Sequence, residues 1–284
     1  MKVFIVLLTL STAVFGETQT DIEYARAGDF SLKLDLHRPE AKRPPVVVYV
    51  HGGAWRAGSK SDVPVAGLLE RGFAIASVDY RLSTQARFPA QIQDIKAAIR
   101  FLRAKSELYG LDTTKIAIIG SSAGGHLAAL TGVSNGVKAL EGQIGDHLDQ
   151  SSDVSAIVSF YGASNLQTIL GQSTEFGLTV RIPALKLLLG DLPDQTPALA
   201  KLASPVAHLD AGDPPLFLLH GDADPQMPHT QSVEFAAAYE KHGLKVKFST
   251  VPGSKHGGDE FYDDTQLDAV ARFLKSALTG ASAP

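Results

Sequence analysis

Short apolar runs alternate with helix-like stretches along most of the chain. Val46 to Val50, Phe73 to Val78, Lys115 to Ile119, Val154 to Phe160 and Leu216 to Leu219 show almost no polar alternation, the pattern of strands covered on both faces. Phe30 to Leu36 differs. Leu32, Leu34 and Leu36 fall on one face, which predicts a half-buried antiparallel strand near a sheet edge. Lys245 to Val251 reads as the last strand. Between these runs, Ser61 to Arg71, Pro89 to Tyr109, Thr230 to His242 and Thr265 to Leu278 read as helices. Ile92, Ile95, Ile99 and Leu102 recur at helical spacing, and Gly110 ends that helix. Strands alternating with helices predict an α/β protein with a mostly parallel central sheet covered on both faces. The stretch 163–209 breaks the alternation: it has no strand signal but holds helix-like pieces such as Pro183 to Leu189. It is expected to lie over the strand ends as a lid or pocket wall.

A chain of 284 residues suits one such domain with a substantial core. Its net charge of -4, without basic runs, argues against nucleic acid and anionic membrane surfaces as partners. The absence of cysteine removes thiolate nucleophiles, thiolate metal sites and disulfides together. The N-terminus adds a compartment. Lys2 precedes an apolar stretch from Val3 to Phe15, too short to span a bilayer, with small residues Val14 and Gly16 placed for cleavage. Residues 1–16 therefore read as a signal peptide and 17–284 as an exported domain, secreted or periplasmic.

The densest chemistry lies at residues 120–124, which read G-x-S-x-G between a predicted strand and a run of helix formers. A strand that becomes a helix so abruptly puts the Ser122 hydroxyl beside a helix N-terminus, where partial positive charge favours a developing anion. Ligands of open parallel sheets bind beyond the carboxyl ends of the strands. Other predicted strand ends carry His51-Gly52-Gly53, Asp79, Asp224 and His256. A serine needs a base within reach, which His256 supplies, and Asp224 then orients the imidazole and stabilises its cation. The backbone N–H groups of Gly52, Gly53 and Ala123 suit an oxyanion. Asp222 competes with Asp224, and the D-P-x-x-P turn that begins at Asp224 favours the latter. Asp79 pairs with Arg81 or caps a turn in this reading. His51 shapes the glycine loop, while His126 and His220 are buried, hydrogen-bonded histidines. The nine histidines show no metal-ligand spacing, so no metal site is expected. Trp55 and Tyr161, beside the proposed site, are candidates to pack against substrate.

HGGAW at 51–55, DYRLS at 79–83, FPAQIQD at 88–94, GSSAGGHLAAL at 120–130, FYG at 160–162, HGDADPQMP at 220–228 and PGSKHG at 252–257 resemble the α/β-hydrolase superfamily. Within it they are similar to bacterial feruloyl-esterase and acetyl-esterase types bordering on the hormone-sensitive-lipase-like esterases. The resemblance implies an α/β-hydrolase fold, Ser122, Asp224 and His256 as a triad, and Gly52, Gly53 and Ala123 as oxyanion donors. It also implies a cofactor-free serine carboxylesterase acting on acetyl or feruloyl esters of carbohydrate. Two departures stand out: Ala54 replaces the usual third glycine of HGGG, and the stretch before His51 is too short for a helical N-terminal cap. The rivals are a serine peptidase of the prolyl-oligopeptidase type and a catalytically silent hydrolase-fold binding protein.

Overall fold

The computed structural model describes residues 16–279, so the expected signal stretch up to residue 15 lies outside the described residues. Eight strands are present among them: β1 (Thr18–Ala27), β2 (Phe30–His37), β3 (Pro45–Val50), β4 (Ala74–Val78), β5 (Asp112–Ser121), β6 (Ala156–Phe160), β7 (Leu216–Gly221) and β8 (Val246–Val251). They form one sheet in the order β1-β2-β4-β3-β5-β6-β7-β8. β1 pairs with β2 and β2 with β4 in antiparallel fashion, and every pairing from β4 through β3 to β8 is parallel. This is the mostly parallel α/β-hydrolase sheet expected from the buried runs.

The helices are α1 (Ala90–Ala104), α2 (Ser106–Tyr109), α3 (Ala123–Gly132), α4 (Lys138–Glu141), α5 (Ile169–Gln172), α6 (Glu175–Leu189), α7 (Pro197–Leu202), α8 (His229–Lys241) and α9 (Asp264–Thr279). Strand pleating divides the core in two. Val46, Val48 and Val50 of β3 join Ile92 of α1, Leu127 of α3, Leu185 of α6 and Phe235 of α8 on one face. Val47 and Tyr49 join Leu267, Val270 and Leu274 of α9 on the other. Covering both faces explains why β3 carries no polar alternation: each of its five residues from Val46 onward is fully buried.

Two expectations are corrected. Ser61 to Arg71 is not a helix: it forms turns around one 3₁₀ turn at Ala66–Leu68. Pro64 and Gly67 oppose helix continuation, and Gly67 lies where a Cβ would press on Leu267 of α9. The long helix predicted over 89–109 is broken at Lys105 into α1 and α2. The piece from Pro183 to Leu189 is helical as expected, the second half of α6, which starts at Glu175 with Thr174 as its cap, the hydroxyl accepting from the Gly177 N–H at 2.9 Å.

Candidate active site

β5 ends at Ser121 and α3 begins at Ala123, so Ser122 alone makes the turn between them. Its backbone sits at φ 55° and ψ -117°, a region that residues with a side chain seldom occupy. Close packing of small residues holds it there. A Cβ on Gly120 would overlap the Gly124 carbonyl, and one on Gly124 would overlap the Val50 carbonyl. The Ser122 N–H donates to the Phe160 carbonyl of β6 at 2.9 Å, and the Ser122 carbonyl accepts from the His126 N–H at 3.0 Å.

Three distant side chains meet at this turn. Ser122 Oγ lies 2.8 Å from His256 Nε2, and His256 Nδ1 lies 2.6 Å from Asp224 Oδ2. A carboxylate only accepts, so Nδ1 carries the proton and Nε2 offers its lone pair to the serine hydroxyl. The other carboxylate oxygen, Oδ1, accepts the backbone N–H groups of Gln226 and Met227, each at 2.8 Å. Asp222, the rival acid, instead accepts the Gly253 N–H at 2.6 Å and ties two loops together.

A second imidazole faces the acid, and sequence reasoning had given it only a structural role. His220 Nε2 lies 3.3 Å from Asp224 Oδ2 and 3.1 Å from the Met227 carbonyl, and its Nδ1 lies 2.7 Å from Ser232 Oγ. Two acceptors on one nitrogen require Nε2–H, so Ser232 donates to Nδ1 and fixes the tautomer. Burial alone would push the Asp224 carboxyl up. Hydrogen bonds from His220 and His256, with the attraction of His256 once protonated and the Met227 N–H, outweigh it and hold the group well below the usual carboxylate range. The spacing between His220 and Asp224 in HGDAD was the available signal.

The loop after β3 closes the other side. Gly52 packs on the turn, where a Cβ would touch the Ser121 carbonyl and Ser122 Cβ. His51 donates from Nδ1 to the Gly52 carbonyl at 2.8 Å and stacks on Tyr80 at 4.4 Å, in keeping with a shaping role. Ala123 is the first residue of α3, so its N–H has no partner within the helix. Asp79 does not pair with Arg81. It accepts the Lys60 N–H at 2.7 Å, and Arg81 forks onto Asp94.

Trp55 is a correction. It is fully buried, and its indole N–H donates to His126 Nδ1 at 3.0 Å, so the ring belongs to the core and cannot pack on substrate. The chain turns it inward through consecutive left-handed residues, Ala54 at φ 52° and Trp55 at φ 59°. Tyr161 does border the cleft, with its ring edge-on to His256 at 4.8 Å. The cleft itself has a volume of about 550 Å³, with Ser122 and His256 on its wall beside Gly52 and Gly53. No residue of 163–209 lines it. That segment packs behind the acid loop instead, with buried Arg181 of α6 donating to the Gln226 carbonyl at 2.7 Å.

A protein-family model, BD-FAE, matches residues 34–239. The chain belongs to the BD-FAE family. Among solved structures, a truncated carbohydrate esterase from gut microbiota superposes on this BD-FAE domain with a TM-score of 0.86 at 33% identity, over 93% of this chain and 97% of that one. A propionate-bound esterase, Est2 of Thermogutta terrifontis, gives a TM-score of 0.74 at 28% identity, over 95% and 96% of the two chains. Esterase LipQ of Mycobacterium tuberculosis is 32% identical over 255 residues, 86% of this chain and 58% of LipQ. The chain spans a little over half the length of the curated relatives it matches.

Proposed function

We propose that the protein is a serine carboxylesterase that hydrolyses short acyl esters carried on carbohydrate, through an acyl-enzyme on Ser122. The observation that carries this reading is the unbroken row of Ser122 Oγ, His256 and Asp224 at 2.8 and 2.6 Å. In the first half-reaction His256 Nε2 takes the hydroxyl proton as Ser122 Oγ attacks the ester carbonyl carbon. Asp224 stabilises the imidazolium that results. The carbonyl oxygen becomes an oxyanion, for which the N–H groups of Gly52, Gly53 and Ala123 are the proposed donors. Collapse of this intermediate expels the alcohol, which takes the proton from His256. Water then repeats the cycle on the acyl-enzyme and releases the carboxylic acid.

The carbohydrate ester is suggested by the gut-microbiota carbohydrate esterase, and the short acyl group by the propionate bound in Est2. Export rests on the apolar stretch from Val3 to Phe15, and N-terminal sequencing of the mature protein tests it. Activity is tested with p-nitrophenyl acetate, methyl ferulate, acetylated xylan and a prolyl anilide, alongside labelling by a fluorophosphonate. Ester turnover and labelling that both vanish in Ser122→Ala are expected. Anilide turnover without ester turnover points to the peptidase, and an unlabelled Ser122 with no turnover points to a silent binding protein.

A further inference from the structure

Four hydroxyl groups run in a row from the core to the cleft. Tyr49 Oη lies 3.0 Å from Ser121 Oγ, Ser121 Oγ lies 2.7 Å from Tyr262 Oη, and Tyr262 Oη lies 2.6 Å from Tyr161 Oη. All four residues border the same cleft as Ser122 and His256. Burial pushes the three phenols above their ordinary range, so each stays a neutral donor through neutral pH.

Tyr49 is fully buried, and its hydroxyl is hydrogen-bonded to Ser121. A buried O–H must find an acceptor, so the Tyr49 proton goes to Ser121 Oγ. Tyr161 also lies within hydrogen-bonding reach of Ser121, so Ser121, Tyr262 and Tyr161 close on one another and can use all their protons among themselves. Each hydroxyl oxygen carries two lone pairs, so lone pairs are left over at the cleft wall, and the rotors can turn to present them.

We propose that this hydroxyl row is a substrate subsite that selects esters bearing a hydroxyl substituent over purely alkyl ones. The proposal rests on Ser122 being the point of attack, which places the row against the bound ester. An alkyl group pressed on the row leaves those lone pairs without a donor, whereas a substrate hydroxyl supplies one.

The test compares ethyl propanoate with esters hydroxylated at successive carbons of the acyl chain in one series and of the alcohol in another. Each is measured as kcat/KM with the intact enzyme and as Kd with Ser122→Ala protein, so that binding is read whether or not turnover occurs. About tenfold preference for a hydroxylated member is expected in both readouts. The series that shows it identifies which side of the ester meets the row. The preference should collapse toward one in Tyr262→Phe, which keeps the ring against Phe160, and in Ser121→Ala, with folding verified by circular dichroism. No preference in either series, or a preference that survives both substitutions, overturns the subsite. Preference in Kd without any ester turnover overturns the esterase reading and leaves the subsite standing.

Discussion

The Trp55 indole donates to Nδ1 of His126 at 3.0 Å, with the two rings edge to face at 5.3 Å. The other imidazole nitrogen, Nε2, donates to the Ala203 carbonyl at 2.7 Å. His126 is therefore a neutral tautomer with both nitrogens occupied, and burial pushes its pKa down to about 4. Because the folded pKa lies below the ordinary value, the unfolded chain binds more protons between them. Stability is fully present above the ordinary histidine pKa near 6.5 and is lost as pH falls toward about 4. The loss across that window is about 3 kcal/mol. Urea unfolding at a series of pH values should show this slope in the wild type and a flatter one in His126→Asn.

Replacing Trp55 with Phe removes the indole donor and leaves His126 Nδ1 unpaired in the core. A cost of about 1–3 kcal/mol is expected, seen in thermal or urea unfolding. KM for p-nitrophenyl acetate should stay within about twofold, since this side chain touches no substrate. A large rise in KM with unchanged stability would restore Trp55 to the cleft.

The two aspartates separate by substitution. Asp224→Asn leaves His256 without its carboxylate, so that the wrong tautomer faces Ser122, and kcat should fall by about 10⁴-fold with KM little changed. Asp222→Asn weakens only the bond to the Gly253 N–H and should cost kcat no more than about tenfold. Steady-state kinetics of the purified variants decides between them.

His220 and Ser232 act on the acid from behind. The folded Asp224 carboxyl lies below its ordinary value, so its contribution to stability is present above that value and lost as pH falls through the folded one. His220→Phe removes the first of the hydrogen bonds that hold it low. The midpoint of acid unfolding, followed by circular dichroism, should move to higher pH. Ser232→Ala releases the His220 tautomer and should shift it in the same direction by less.

How legible the molecule was depended on what each residue faces. The inner strands β3 to β7 were readable because burial on both faces leaves a continuous apolar run. β1 was not. It is an edge strand, largely exposed, and register shifts between Gln19 and Ile22 and between Glu23 and Ala25 break its period of two. Ser122, Asp224 and His256 could be named because strand ends in a parallel sheet converge whatever their distance in sequence. Trp55 misled because adjacency to a strand end says nothing about which way the next two residues turn. The hydroxyl row was invisible for a related reason: Tyr262 belongs to the segment before α9, and only the folded chain brings it to Ser121 and Tyr161.

Gly221 ends β7 where a Cβ would overlap the Ser254 carbonyl, and that carbonyl also accepts the Ala223 N–H at 3.1 Å. With the Asp222 to Gly253 bond, the loops leaving β7 and β8 are riveted into one piece carrying both acid and imidazole. The serine rides on β5, with β6 laddered to both β5 and β7 between them, and the 2.8 Å contact of Ser122 Oγ with His256 Nε2 spans that strand. The spacing between the serine and the acid–imidazole couple is thus set by the β5–β6–β7 ladders, so a substitution that shifts those ladders should lengthen the Ser122–His256 contact and leave the His256–Asp224 bond unchanged.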